Sequence, residues 1–131
     1  MKRYIALFTS LLLFALIIFS FSSCATVEIG QGEIVAVFKY GDADITQTLS
    51  DEDSKTVKDI FKGKNLFSDS PSCGFSKNVA LIIDGNTYCI ACDTCGTIYY
   101  AEKDKYFNLS DKENETVRNL LNEYGFTFPC V

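Results

Sequence analysis

The sequence predicts an α+β domain, in which two helices pack on one face of an antiparallel sheet. The first observation is a repeat at an offset of 60 residues: residues 49–61 read LSDEDSKTVKDIF and residues 109–121 read LSDKENETVRNLL. The second is that each repeat follows a stretch of alternating apolar and polar residues that turns back on itself, as a β-hairpin does. Together they predict a duplicated hairpin-plus-helix unit.

The two repeated segments have the features of amphipathic helices. Ser50 and Ser110 stand at the N-cap position, and Asp53 and Glu113, three residues later, can complete a capping box. Apolar side chains then recur at the spacing of a helix face, and a glycine ends each segment. These positions are Val57, Ile60, Phe61 and Gly63 in the first unit and Val117, Leu120, Leu121 and Gly125 in the second.

Alternation and turn residues predict three hairpins. The paired strands are residues 34–40 with 45–49, 79–83 with 87–92, and 97–101 with 106–109. The three hairpins give six strands, and a last short strand over residues 126–128 would make seven. In the third hairpin, one residue of each aromatic pair, Tyr99-Tyr100 and Tyr106-Phe107, faces away from the core, which predicts ordinary sheet packing or a small aromatic surface for a partner.

The N-terminal segment has the pattern of a secretory signal peptide. Lys2 and Arg3 precede an apolar stretch over residues 5–21, and two small residues, Ser22 and Ser23, follow it. The stretch is close to the shortest length that spans a bilayer, so an uncleaved transmembrane anchor is an alternative.

The residues Phe21-Ser22-Ser23-Cys24 resemble the lipobox of bacterial lipoprotein precursors. In that family the cysteine is acylated, for example with palmitate, and becomes the first residue after cleavage. The resemblance implies that Cys24 is a lipidation site and that the protein is anchored on the exported face of the cell membrane. Phe21 stands where leucine is usual, so cleavage after Ala25 by the ordinary signal peptidase, which would give a secreted protein, is the alternative.

The domain organisation follows from this signal. Residues 1–23 form the signal peptide, residues 24–32 form a lipidated N-terminus and tether that contains two glycines, and residues 33–131 form a single α+β domain with two internal repeats.

Charge and composition exclude several classes of function. Removal of Lys2 and Arg3 with the signal changes the formal net charge from −5 to −7, which argues against nucleic acid as a partner and leaves the lipid as the contact with the membrane. The chain has no histidine, the commonest general base. Asp42 and Asp44 are predicted to be solvated turn residues. With no catalytic constellation in the sequence, we predict a non-enzymatic protein.

The most unusual chemistry of the sequence is a doubled C-x-x-C motif. Besides Cys24 the chain has five cysteines: Cys73, Cys89, Cys92, Cys95 and Cys130. An exported domain of this size is typically stabilised by disulfides, and the odd number leaves at least one thiol unpaired or paired between molecules. Bridges from the clustered cysteines to Cys73 or Cys130 are more natural than bridges within the cluster.

Two alternatives use the same cysteines. Cys89, Cys92 and Cys95, with Cys73 or Cys130 as the fourth ligand, match a zinc or iron–sulfur site in number. A thiol-redox site would use a C-x-x-C pair, but Asp93 lies beside the motif and a negative charge there raises the pKa of a thiol.

These inferences define the expected function. We predict a membrane-anchored exported lipoprotein that is a non-enzymatic binding or inhibitor-type module, stabilised by disulfides, without a cofactor and with an unidentified protein partner. The alternative is a thiol-redox or four-cysteine zinc protein that uses Cys89, Cys92 and Cys95.

Overall fold

A computed structural model of the chain describes residues 24–130, so the predicted signal peptide lies outside the described residues. The elements are β1 Ile34–Tyr40, β2 Ala43–Thr48, α1 Asp51–Phe61, β3 Val79–Ile83, β4 Asn86–Ile90, β5 Thr97–Tyr100, β6 Lys105–Asn108 and α2 Asp111–Glu123. The predicted α+β class is confirmed. Neither helix in this part of the chain has the length and apolar character needed to cross a membrane.

The strands form one antiparallel sheet in the order β2-β1-β3-β4-β5-β6. The β3–β4 hairpin lies at the centre, and the two hairpins that precede the helices flank it. Residues 126–128 do not form the additional strand considered from the sequence. Instead, Phe126 is buried, and its ring centroid lies 4.9 Å from that of Phe38 on β1.

Both helices pack on the same face of the sheet and share one hydrophobic core. Phe61 of α1 lies between Tyr88 of β4 and Phe107 of β6, with ring centroids 5.7 and 5.1 Å away. The other fully buried members of the core include Ile34, Ala36, Val57, Leu81, Ile83, Ile90, Ile98, Val117 and Leu121. Of the apolar helix residues predicted from the sequence, four lie in the core: Val57, Phe61, Val117 and Leu121.

The two helices begin with different N-terminal contacts. At α2 the predicted capping box is present, because Ser110 Oγ accepts the N–H of Glu113 and Glu113 Oε2 accepts the N–H of Ser110 at 2.8 Å. At α1, Ser50 Oγ accepts the N–H of Asp53, but the return bond is absent. The hydroxyl of Tyr124 takes its place: it accepts the Ser50 N–H at 2.9 Å and donates to Asp53 Oδ2 at 2.6 Å.

The capping-box prediction for Asp53 is therefore wrong, and the reason is the length of the side chain. An aspartate is one methylene shorter than the glutamate that usually returns the bond. The replacement bond comes from the end of α2, so it also joins the two helices.

The segment that the sequence predicts to be a tether is held against the domain from Ala25 onwards. The Val27 N–H donates to Lys64 O at 2.8 Å, and the Leu66 N–H donates to Ala25 O at 2.9 Å. Val27 is only 1% exposed and belongs to the core. The first residues of the predicted tether are therefore packed against the domain, because burial of the apolar Val27 side chain stabilises the folded state.

We expect Tyr124→Phe to lower the free energy of unfolding by about 1 kcal/mol at pH 7, because it removes the hydrogen bonds that join Ser50 and Asp53 to α2. The hydrogen bond from the Tyr124 hydroxyl lowers the pKa of Asp53 below its usual value. A lowered folded-state pKa stabilises the protein above the unfolded-state pKa, and this stabilisation is lost as the pH falls through the folded-state pKa.

The difference between wild type and variant should therefore shrink below about pH 4. Urea unfolding at pH 7 and at acidic pH measures it, with Tyr40→Phe, at an exposed tyrosine, as the control. A Tyr124→Phe protein as stable as the control at pH 7 would contradict the assignment.

Candidate functional site

The chemistry of the described chain is concentrated at the connection between β4 and β5, residues 91–96, which we call the cysteine loop. Two disulfides leave it: Cys92 is bonded to Cys130, with Cα atoms 5.0 Å apart, and Cys95 is bonded to Cys73, with Cα atoms 6.3 Å apart. The prediction of bridges from the clustered cysteines to Cys73 and Cys130 is confirmed.

The two disulfides join segments that are distant in sequence. Cys73 lies in the long connection between α1 and β3, and Cys130 follows α2. The bridges span 22 and 38 residues, and loop-closure entropy makes each worth about 3–4 kcal/mol. The Cys130 N–H also donates to Cys92 O at 3.1 Å, so the C-terminal segment is held by its backbone as well.

Arg118 on α2 provides a third contact to the cysteine loop. Its Nη2 donates to the carbonyl oxygens of Ala91 and Cys95, each at 3.1 Å, and its guanidinium lies 4.5 Å from the centroid of the Phe128 ring. Burial lowers the pKa of Arg118 from its usual value. In the sequence, the only mark of Arg118 is that it recurs as a basic residue 60 positions after Lys58.

Cys89 on β4 is a free thiol that is only 1% exposed. It lies on the sheet face opposite the helices, beside its cross-strand neighbours Ala80 and Tyr99. Burial raises the pKa of this thiol to about 11, so it is protonated and unreactive at neutral pH.

The zinc alternative needs four thiolates and the redox alternative needs a bridge within a C-x-x-C pair, whereas the disulfides here join Cys92 to Cys130 and Cys95 to Cys73. Of the proposed set Cys73, Cys89, Cys92 and Cys95, all but Cys89 are in disulfides, and a disulfide sulfur is not a thiolate. In residues 24–130, potential metal-ligand atoms lie close together at Cys73, Asp93 and Cys95. The sulfurs of Cys73 and Cys95 are bonded to each other there.

Cys24, the other free cysteine of the described chain, is exposed. It directly precedes Ala25, whose carbonyl accepts the N–H of Leu66. Phe67, the next residue, pairs with Tyr106 on β6. The predicted lipidation site therefore lies on the β6 side of the sheet, one residue from folded backbone.

Two further surfaces bear on partner binding. Tyr99 and Tyr106 face away from the helices as predicted, and the chain itself packs on them: Phe75 lies 5.8 and 5.7 Å from their ring centroids, and Phe67 stacks on Tyr106. A cleft of about 390 Å³ lies between residues 29–33 and α1. Two of its three lysines are engaged, since Lys55 pairs with Asp59 at 2.6 Å and Lys58 donates to Gln31 O.

Comparison of the chain with protein-family models, with curated proteins and with solved structures finds no match.

We expect Cys89 to resist alkylation in the native protein, because its thiol is buried and protonated. Iodoacetamide at pH 8, followed by peptide mapping, should leave Cys89 unmodified until denaturant is added, while the four disulfide cysteines react only after reduction. Rapid modification of native Cys89 would contradict this structure.

We expect Arg118→Met to lower the free energy of unfolding by about 1–3 kcal/mol, because two loop carbonyls lose a charged donor and the guanidinium contacts with Asn114 and Phe128 are lost, while an apolar side chain of similar length remains. Denaturant unfolding of the oxidised protein measures this. Lys112→Met, an exposed position on the same helix, is the control. Equal stability of the two variants would show that the arginine contributes nothing.

Proposed function

We propose that this chain is an exported lipoprotein, anchored to the membrane through acylated Cys24, whose disulfide-stabilised domain is a non-enzymatic binding or inhibitor-type module. The observation that carries the proposal is the position of Cys24. It follows a signal-like apolar segment, it is exposed, and it lies one residue before the backbone that packs onto the fold.

The disulfides support export. Two bridges between distant segments are typical of proteins that fold in an oxidising compartment and unusual in the cytosol of mesophiles. The buried thiol of Cys89 supports a structural role for the remaining cysteine. The cysteines thereby divide into one exposed anchor, two bridges and one core residue.

The short distance between Cys24 and the fold determines how an anchored domain is presented. Because Ala25 and Val27 are already bonded to residues 64–66, the acyl chains would hold the β6 side of the sheet close to the bilayer. The opposite edge, at β2, lies five strand spacings away, or about 24 Å. An anchored module of this shape presents β2 as the part of the sheet most distant from the anchor.

We expect the full-length protein to incorporate a labelled fatty acid when it is expressed in bacteria, and Cys24→Ala to lose the label. Cys89→Ala, which removes the other free thiol, is the matched control and should keep the label. Gel fluorography together with membrane fractionation measures both. An unlabelled wild type, or a labelled Cys24→Ala variant, would overturn the anchor and favour a secreted protein.

A further inference from the structure

The two edges of the sheet differ in the part of the chain that the structure describes. The edge at β6 is covered, because the N–H of Phe67 donates to Tyr106 O and the N–H of Tyr106 donates to Phe67 O, both at 2.9 Å. The edge at β2 has no such partner among residues 24–130. Four of the six β2 residues, namely Asp44, Thr46, Gln47 and Thr48, are exposed.

The register shows which β2 groups face outward. The N–H of Leu49 donates to Ile34 O, and antiparallel partners alternate between hydrogen-bonded and non-hydrogen-bonded pairs. Gln47 and Ile45 therefore bond to β1. The backbone N–H and C=O groups that point away from the sheet belong to Asp44, Thr46 and Thr48.

The covered edge shows what this kind of strand can bind. β6 and β2 have the same hydrogen-bond register. Leu109 N–H donates to Gly96 O, just as Leu49 N–H donates to Ile34 O. Tyr106 and Thr46, each three residues before its leucine, therefore occupy equivalent positions. Tyr106 uses both of its outward groups to bind an extended backbone at Phe67. Thr46 presents the same pair of groups without a partner in the described chain.

The β2 strand also lacks the features that normally prevent edge pairing. Protected edges carry lysine, proline or a bulge, whereas β2 reads ADITQT and pairs with β1 in continuous register. Its one charge, Asp44, lies 3.3 Å from Lys39 Nζ on β1. The strand is therefore regular and nearly neutral along its open edge.

We propose that the open edge of β2 is a homodimer interface, in which β2 pairs antiparallel with β2 of a second copy about a two-fold axis at Thr46. This register matches the outward groups of Thr46 with those of Thr46 in the second copy, and Asp44 with Thr48 in both directions. Like charges do not lie opposite each other, and threonine pairs are favourable across strands. The result is a continuous sheet of twelve strands.

The axis runs perpendicular to the sheet, so the helices of both copies lie on the same side. Cys24 is on the β6 side of each copy, and the dimer carries these residues at its two far ends. The interface therefore leaves the predicted lipidation site of each copy free. Both anchors enter one bilayer when the twelve-stranded sheet lies along the membrane, and the interface itself forms with or without an anchor.

The test uses opposite charges at the axis. In the full chain, purified in mild detergent at an ionic strength near 0.15 M to screen the net charge, wild type should dimerise with rising concentration. Thr46→Asp and Thr46→Lys should each raise the dissociation constant by about tenfold or more, because like charges meet at the axis. An equimolar mixture of the two variants should recover the dimer as a heterodimer, which native mass spectrometry identifies by mass.

Two controls make the result decisive. Thr116→Asp and Thr116→Lys, at an exposed position on α2, should leave the dimer unchanged. Cys24→Ala should also dimerise, so a dimer that disappears in this variant comes from the acyl chains or from an intermolecular Cys24 disulfide and overturns the interface. A monomeric wild type, an unaffected Thr46→Asp protein, or a mixture of charged variants that stays monomeric would each overturn the proposal.

Discussion

The cysteine loop, residues 91–96, is the constraint on which the rest of the structure depends. It connects β4 to β5, and therefore joins the central hairpin to the β5–β6 hairpin and α2. Two disulfides and the Arg118 side chain attach it to the linker after α1, to the C-terminal segment and to α2. A loop of six residues thus holds three other parts of the chain, and the small core does not have to hold them alone.

Much of the fold could be predicted because its signals are local. The β3 strand occupies the predicted residues, and Asp84-Gly85 makes the predicted turn with positive φ at both residues. Gly63 and Gly125 also have positive φ after their helices, as helix ends require. Periodicity of two or of 3.6 residues and turn chemistry depend only on neighbouring residues, so a single sequence contains them.

The contacts that the sequence did not reveal are those between distant residues. Tyr124 replaces the missing half of a capping box 74 residues away, and its sequence context carries no mark of that role. The cysteine pattern favoured bridges to Cys73 and Cys130 but could not say which cysteine takes which partner. Cys89 is the unpaired one because strand geometry turns its side chain into the sheet face beside Ala80, away from the loop.

The difference between the two sheet edges also has a physical origin in chain connectivity. The two helices make corresponding contacts 60 residues apart, since Lys58 donates to Gln31 O and Arg118 donates to Ala91 O. The linker after α1, residues 62–78, has no segment of similar length after α2 in the described chain. Lys64 in this linker pairs with Glu113 of α2 at 2.6 Å. This ion pair directs the linker towards α2, and Phe67 then pairs with β6.

Residues 124–130, which follow α2, do not pair with β2. They are used instead to bury Phe126 against Phe38 and to place Cys130 beside Cys92. A single long linker can cover only one of two similar edges. Within residues 24–130, the open edge of β2 is therefore a consequence of chain connectivity, because nothing in this part of the chain supplies for β2 what Phe67 supplies for β6.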